Sequence, residues 1–116
     1  MKKGWYGNSK KHSLASKGVK SKIEKANLHY SKASFLFQKN IIDFWFKRGY
    51  VVSNAYILKR EYEKPKHTVY TVVIDFGYKN IEPTKDYIHH TIYENIAIEL
   101  KNNLNEYIDL QRRVYE

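Results

Sequence analysis

Lys2, Lys3, Lys10, Lys11, Lys17, Lys20 and Lys22 fall within the first 22 residues of the chain, and no Asp or Glu lies among them. Ammonium groups at this density neutralise phosphates well and release the counterions condensed on a polyanion. Trp5, Tyr6 and His12 alternate with the lysines, and flat rings beside cations can stack on bases or pack down on a folded body. Lysine is a compact point charge with no base code, so the pattern favours phosphate contact over sequence reading. The formal net charge is +9, from 21 Lys and Arg against 12 Asp and Glu. Seven of those 21 lie in residues 1–22, which leaves 14 against 12 for residues 23–116. The basicity is local, and a segregated patch of one sign concentrates a polyanion where scattered charges mainly aid solubility.

Other chemistries find less support. The five histidines (His12, His29, His67, His89, His90) include no i, i+4 pair and no H-E-x-x-H, so no metal site is expected. With no cysteine there is no disulfide framework, Cys-based zinc site or thiol nucleophile. A magnesium nuclease needs clustered acids beside a lysine. "VVIDFGYK" supplies Asp75 and Lys79 without an E-x-K, and Glu61 and Glu63 fall near a turn. No glycine-rich phosphate loop or G-x-S-x-G elbow is present, and no enzyme or cofactor is expected.

Within the basic stretch Trp5, Gly7, His12, Ala15 and Gly18 form W-x-G-x4-H-x2-A-x2-G. This resembles the basic GWxG…HxxAxxG(I/V)K(T/S) stretch that opens many uncharacterised proteins of archaea and of their viruses and plasmids. It covers about 18 of the 116 residues. Tyr6 stands where that pattern often has His, which removes paired histidine ligands from the arm. The resemblance implies an archaeal or mobile-element setting and slightly favours handling of DNA or RNA. It implies no activity.

These residues need a body to hold them. At 116 residues, 42% apolar, the chain can bury one core, and the boundaries expected are a basic arm at 1–21 and a single domain at 22–116. Ser21 and Glu24 form a capping box, so a helix is expected from 22 to about 48. Ser9 offers a cap for a short helix inside the arm, closing at Gly18. On the long helix Ile23, Tyr30, Phe37 and Phe44 recur every seven residues, with Ala26, Ala33, Ile41 and Trp45 beside them, giving one apolar face. Gly49 ends it.

Tyr50–Tyr62 and Thr68–Tyr78, rich in Val, Ile, Tyr and Thr and split by "EKPKH", read as a β-hairpin. Tyr70, Val72, Ile74, Phe76 and Tyr78 should face the helices, and Asn54 marks a bulge in the first strand. Pro83 then suits a first helical turn, and Ile88, Ile92, Ile96, Leu100, Leu104 and Ile108 recur every four residues, predicting a second helix over 84–114. Such a helix would be about 45 Å long. Either "KNNLN" bends it or a second copy covers the excess, and a homodimer would also ease the bare edges of a two-stranded hairpin.

The expected architecture is α+β: long helix, two-stranded β-hairpin, long helix, with a basic N-terminal arm. The expected function is non-enzymatic binding of nucleic acid, DNA ahead of RNA, through Lys2, Lys3, Trp5, Tyr6, Lys10, Lys11, His12, Lys17, Lys20 and Lys22. The alternative is a structural or interaction protein whose arm meets an acidic partner. A small magnesium-dependent nuclease ranks below both. Without a secretory signal pattern or an apolar run long enough to span a bilayer, a soluble intracellular protein is expected, with a virion as the other setting.

Overall fold

The computed structural model describes the backbone of residues 9–116 and side chains from Ser21 onward. Helix α1 runs Ser9–Lys47, passing through Gly18 and Ser21, so neither the short helix nor the capping-box start is used. Its end is built as expected. Gly49 adopts φ +79°, Gly49 N–H donates to Phe46 O at 3.1 Å and Tyr50 N–H to Trp45 O at 3.0 Å. This is the paired-carbonyl closure that a left-handed glycine permits. Phe76 stacks on both Trp45 and Tyr50, clamping the exit of the helix onto the sheet.

Four strands follow: β1 (Val51–Val52), β2 (Tyr56–Glu63), β3 (Lys66–Gly77) and β4 (Thr84–Thr91), then helix α2 (Glu94–Tyr115). The two-stranded hairpin expected from sequence is thus part of a four-stranded antiparallel sheet, centred on β3. β2 and β3 form the hairpin itself, with Glu63 opposite Lys66. β1 pairs the far end of β3, Val52 opposite Phe76, while Tyr56 lies opposite Val73. Ser53, Asn54 and Ala55 therefore face only Ile74 and Asp75, a one-residue bulge where Asn54 breaks the pattern. α2 braces it from behind. The Asn105 side chain accepts from Ala55 N–H and donates to Ala55 O, and Arg112 donates to Val52 O at 2.8 Å and Asn54 Oδ1 at 2.9 Å.

The other edge of β3 is taken by β4, and here the expected second helix is wrong. Residues 84–91 are strand, with Phe76 opposite Thr84 and Tyr70 opposite Thr91, and α2 begins only at Glu94. Pro83 lies in the connection, where its Cα comes within 3.4 Å of the space a Cβ on Gly77 would fill. The four-residue period misled because Ile88, Ile92 and Ile96 belong to three different settings. Ile88 sits at a register shift of β4 and packs on the core, Ile92 is exposed, and Ile96 is buried in α2. α2 has 22 residues, about 33 Å, and β3 has partners on both edges. The helix-length reason for a second copy lapses, and so does the marginality of an isolated hairpin, while β2 and β4 each pair only with β3 among the described strands.

The core lies between the inner sheet face and the two helices: Ile42, Trp45 and Phe46 from α1, Val72 and Ile74 from β3, and Ala97, Leu100, Leu104 and Ile108 from α2. Tyr70 and Phe76 complete the inward set on β3. Asp43 of α1 accepts hydrogen bonds from Tyr107 and Gln111 of α2, and burial, then that bond, pushes the Tyr107 hydroxyl up to about 12.

The inner face of β4 is polar, and α1 answers it in kind. Gln38 donates to Asp86 at 2.8 Å, Ser34 Oγ lies 3.4 Å from His89 Nδ1, and Thr91 donates to Asn27 at 3.0 Å. Asn27, Ser31, Ser34 and Gln38 thus form the stripe of α1 turned inward. In consequence Ile23, Tyr30, Phe37 and Phe44, expected to face the core, are 43%, 65%, 68% and 49% exposed. The expected apolar face is split: Trp45 and, in part, Ile41 go inward at the C-terminal end beside Ile42 and Phe46, and the seven-residue series goes outward.

Candidate nucleic-acid interface

Of the residues expected to meet phosphate, Lys2, Lys3, Trp5 and Tyr6 lie outside the described residues. Lys10, Lys11, His12, Lys17 and Lys20 lie on the backbone of α1, with side chains outside the described set. Lys22 is exposed on the same helix. The backbone thus carries this part of the arm along a helical axis, and positions 10 and 17 stand two turns apart on one side of it. No acidic residue occupies the first turn.

A second surface was not legible in the sequence. Among the described residues both helices pack on the inner face of the sheet, and strand pairing collects on the outer face residues distant in the chain: Tyr56, Arg60 and Tyr62 from β2, Thr71, Val73 and Asp75 from β3, and Lys85, Tyr87 and His90 from β4. Val73 is fully buried on this open face, since Tyr56 and Tyr87 flank it from both neighbouring strands. A depression of about 360 Å³ lies beside it, with Arg60, Tyr62, Tyr87 and His90 on its walls and Leu58 and Val69 also lining it. Tyr62 and Tyr87 are both substantially exposed, and Tyr62 stacks on His67 with centroids 4.9 Å apart.

At one end of this face Tyr56 donates to Asp75 at 2.8 Å, and Lys85 donates to Tyr56 Oη at 2.7 Å and to Asp75 at 3.4 Å. The hydrogen bond to Tyr56, with the Asp75 carboxylate adding to it, raises the Lys85 ammonium above its ordinary value. That lysine stays charged and Asp75 is engaged. Across the middle, Thr71 Oγ1 lies 2.7 Å from His90 Nδ1, which fixes the ring against the strand.

This arrangement does not assemble a two-acid metal centre from the acids weighed in the sequence. Glu61 pairs with Thr68 while Asp75 pairs with Lys85, and seven residues of strand separate those positions by about 23 Å. Among the described residues no three His, Asp or Glu side chains cluster as metal ligands, and no helix is long and apolar enough to cross a membrane. Comparison with protein-family models, with curated proteins and with solved structures finds no match to this chain.

Proposed function

We propose that the chain binds nucleic acid without catalysing a reaction on it, the lysines of residues 1–22 contacting phosphates and the outer sheet face taking unpaired bases. One observation carries this reading: seven lysines and no acid in the first 22 residues, beside a nearly balanced remainder. Lys10 and Lys11 open α1, where the helix dipole repels cations and favours a bound anion. The exposed rings of Tyr62 and Tyr87, with Arg60 of β2 lining the same depression, offer π-faces and a cation of the kind that stacks bases without reading their sequence. DNA is placed ahead of RNA in this reading, and the setting is the one that the resemblance of residues 5–18 implies, an archaeal host, virus or plasmid, with an intracellular or virion location. The working species in this reading is a homodimer presenting two arms, and linked arms gain avidity when both reach one polymer.

The test is fluorescence anisotropy with labelled single-stranded DNA, duplex DNA and RNA at two salt concentrations. Because α1 runs unbroken through residue 22, a set of Lys→Gln substitutions at 10, 11, 17, 20 and 22 is a cleaner comparison than truncation. Contact with four to seven phosphates loses roughly two to four orders of magnitude in affinity between about 50 and 200 mM salt. Absence of binding by the full chain at low salt would reject this function and leave the structural or interaction protein, the reading favoured by the exposed series on α1.

A further inference from the structure

We propose that α1 pairs antiparallel with α1 of a second copy through the seam Ile23, Tyr30, Phe37 and Phe44. This names the interface of the homodimer in the reading above, and it rests on α1 alone, whatever the arm binds.

From Asn27 to Gln38 the helix is inverted relative to an ordinary amphipathic one. Its polar stripe is buried, Ser31 and Gln38 being 2% and 3% exposed, while large apolar residues at strict seven-residue spacing face solvent. A seven-residue apolar repeat is the spacing that keeps one seam of a helix against another helix under left-handed supercoiling. It has no such use against a sheet. The stretch "FLFQKNIIDFWF" is apolar nearly all round, as is expected of a helix covered on more than one side. One of those sides is the core, and nothing among the described residues covers the other. Half to two-thirds of three aromatic rings, with exposed Leu36 and Ile23 beside them, amounts to on the order of 500 Å² of apolar surface per copy. That is near the upper end for a patch on a monomer, and it makes an apolar centre for an interface of about 800 Å² per partner.

Residue sizes choose the orientation. Between the large residues lie Ala26, Ala33 and Asn40, completing an alternating four-and-three repeat. In an antiparallel pair centred near residue 35, Ala33 meets Phe37 of the second copy, Ala26 meets Phe44, and Tyr30 meets Asn40. Every such layer then sets a large side chain against a smaller one, as close packing requires. A parallel pair would instead stack Phe37 on Phe37 and Ala33 on Ala33, alternately overfilling and emptying the layers. It would also bring the two lysine-rich ends together, whereas the antiparallel pair sends them to opposite ends.

The experiment is sedimentation equilibrium of the full chain without nucleic acid, for wild type and Phe37→Lys, with pulsed electron-spin distances on a labelled Lys25→Cys variant, an exposed position beside the seam. The chain has no other cysteine. The wild type is expected at about twice 13.9 kDa, and Phe37→Lys at the monomer mass with unchanged circular dichroism, since that side chain is 68% exposed. In the antiparallel pair the 20 residues between 25 and 45 set the two Lys25 positions about 30 Å apart along the axis. A wild-type monomer at all concentrations, or a Phe37→Lys dimer of undiminished affinity, overturns the interface. A label separation near 10 Å, as adjacent parallel helices give, overturns the orientation. None of these outcomes depends on whether the arm binds phosphate.

Discussion

Gln38 on α1 donates its side-chain N–H to the Asp86 carboxylate of β4 at 2.8 Å, while the residue before it, Phe37, points to solvent. Strand β4 docks on a polar stripe of α1, and that preference sets which side of the helix faces inward. Replacing Gln38 by Leu leaves the carboxylate half-buried without its donor. An expected loss of about 1–3 kcal/mol is read from chemical denaturation, and Asp86→Asn, which keeps an acceptor oxygen, costs less.

Asn105 holds both backbone groups of Ala55 at the bulge, and Ala55 is buried. Asn105→Ala strands an amide and a carbonyl there. Destabilisation of about 1–3 kcal/mol is expected, with faster amide exchange at Ala55. Asn105→Asp keeps the acceptor, and protection at the Ala55 amide should largely persist.

The α2 face separates core from surface sharply. Leu104 is fully buried and Leu110 exposed. Leu104→Ala is expected to cost about 2–5 kcal/mol and Leu110→Ala within about 0.5 kcal/mol, both measured at protein concentrations low enough to keep one oligomeric state.

Protonation of His89 opposes folding. Burial, then the nearby His90, lowers its pKa from the ordinary 6.5, and its Nε2 is buried without a partner. Above pH 6.5 the neutral ring costs nothing further. As pH falls below 6.5 the unfolded chain takes up the proton first, so stability is lost progressively down through the lower folded value. Urea midpoints between pH 5 and 8 should fall on the acid side, and His89→Leu should flatten that slope.

If bases stack on the outer sheet face, Tyr87→Ala weakens single-stranded binding by about 1–3 kcal/mol and leaves the salt slope unchanged. The lysine substitutions do the reverse, reducing the slope by about 0.7 for each phosphate of a single strand that is no longer neutralised. Anisotropy titrations across four salt concentrations separate the two.

The local elements were legible where a residue's own chemistry decides its conformation. Gly49 closes α1 because only a left-handed residue there satisfies the last carbonyls, the alternation from Tyr70 to Phe76 sets the inward face of β3, and Ile96 to Ile108 mark the buried stripe of α2. Strand β4 was hidden because its inner residues, Thr84, Asp86, His89 and Thr91, are polar, and polar residues show no apolar alternation. Ile88, Ile92 and Ile96 then mimicked a helix across a strand, a connection and a true helix.

By itself the chain's order of residues determined the α+β class, the helix stop, the hairpin and the lysine segregation, all properties of neighbours in sequence. Tertiary structure decided which side of α1 is inside, since two stripes about a quarter turn apart competed and the polar one matched the unpaired groups of β4. It also assembled the outer sheet face, because strand register alone brings Arg60, Thr71 and Tyr87 together. Burying a polar stripe becomes favourable only when its hydrogen-bond partners are already positioned, and no local pattern carries that information.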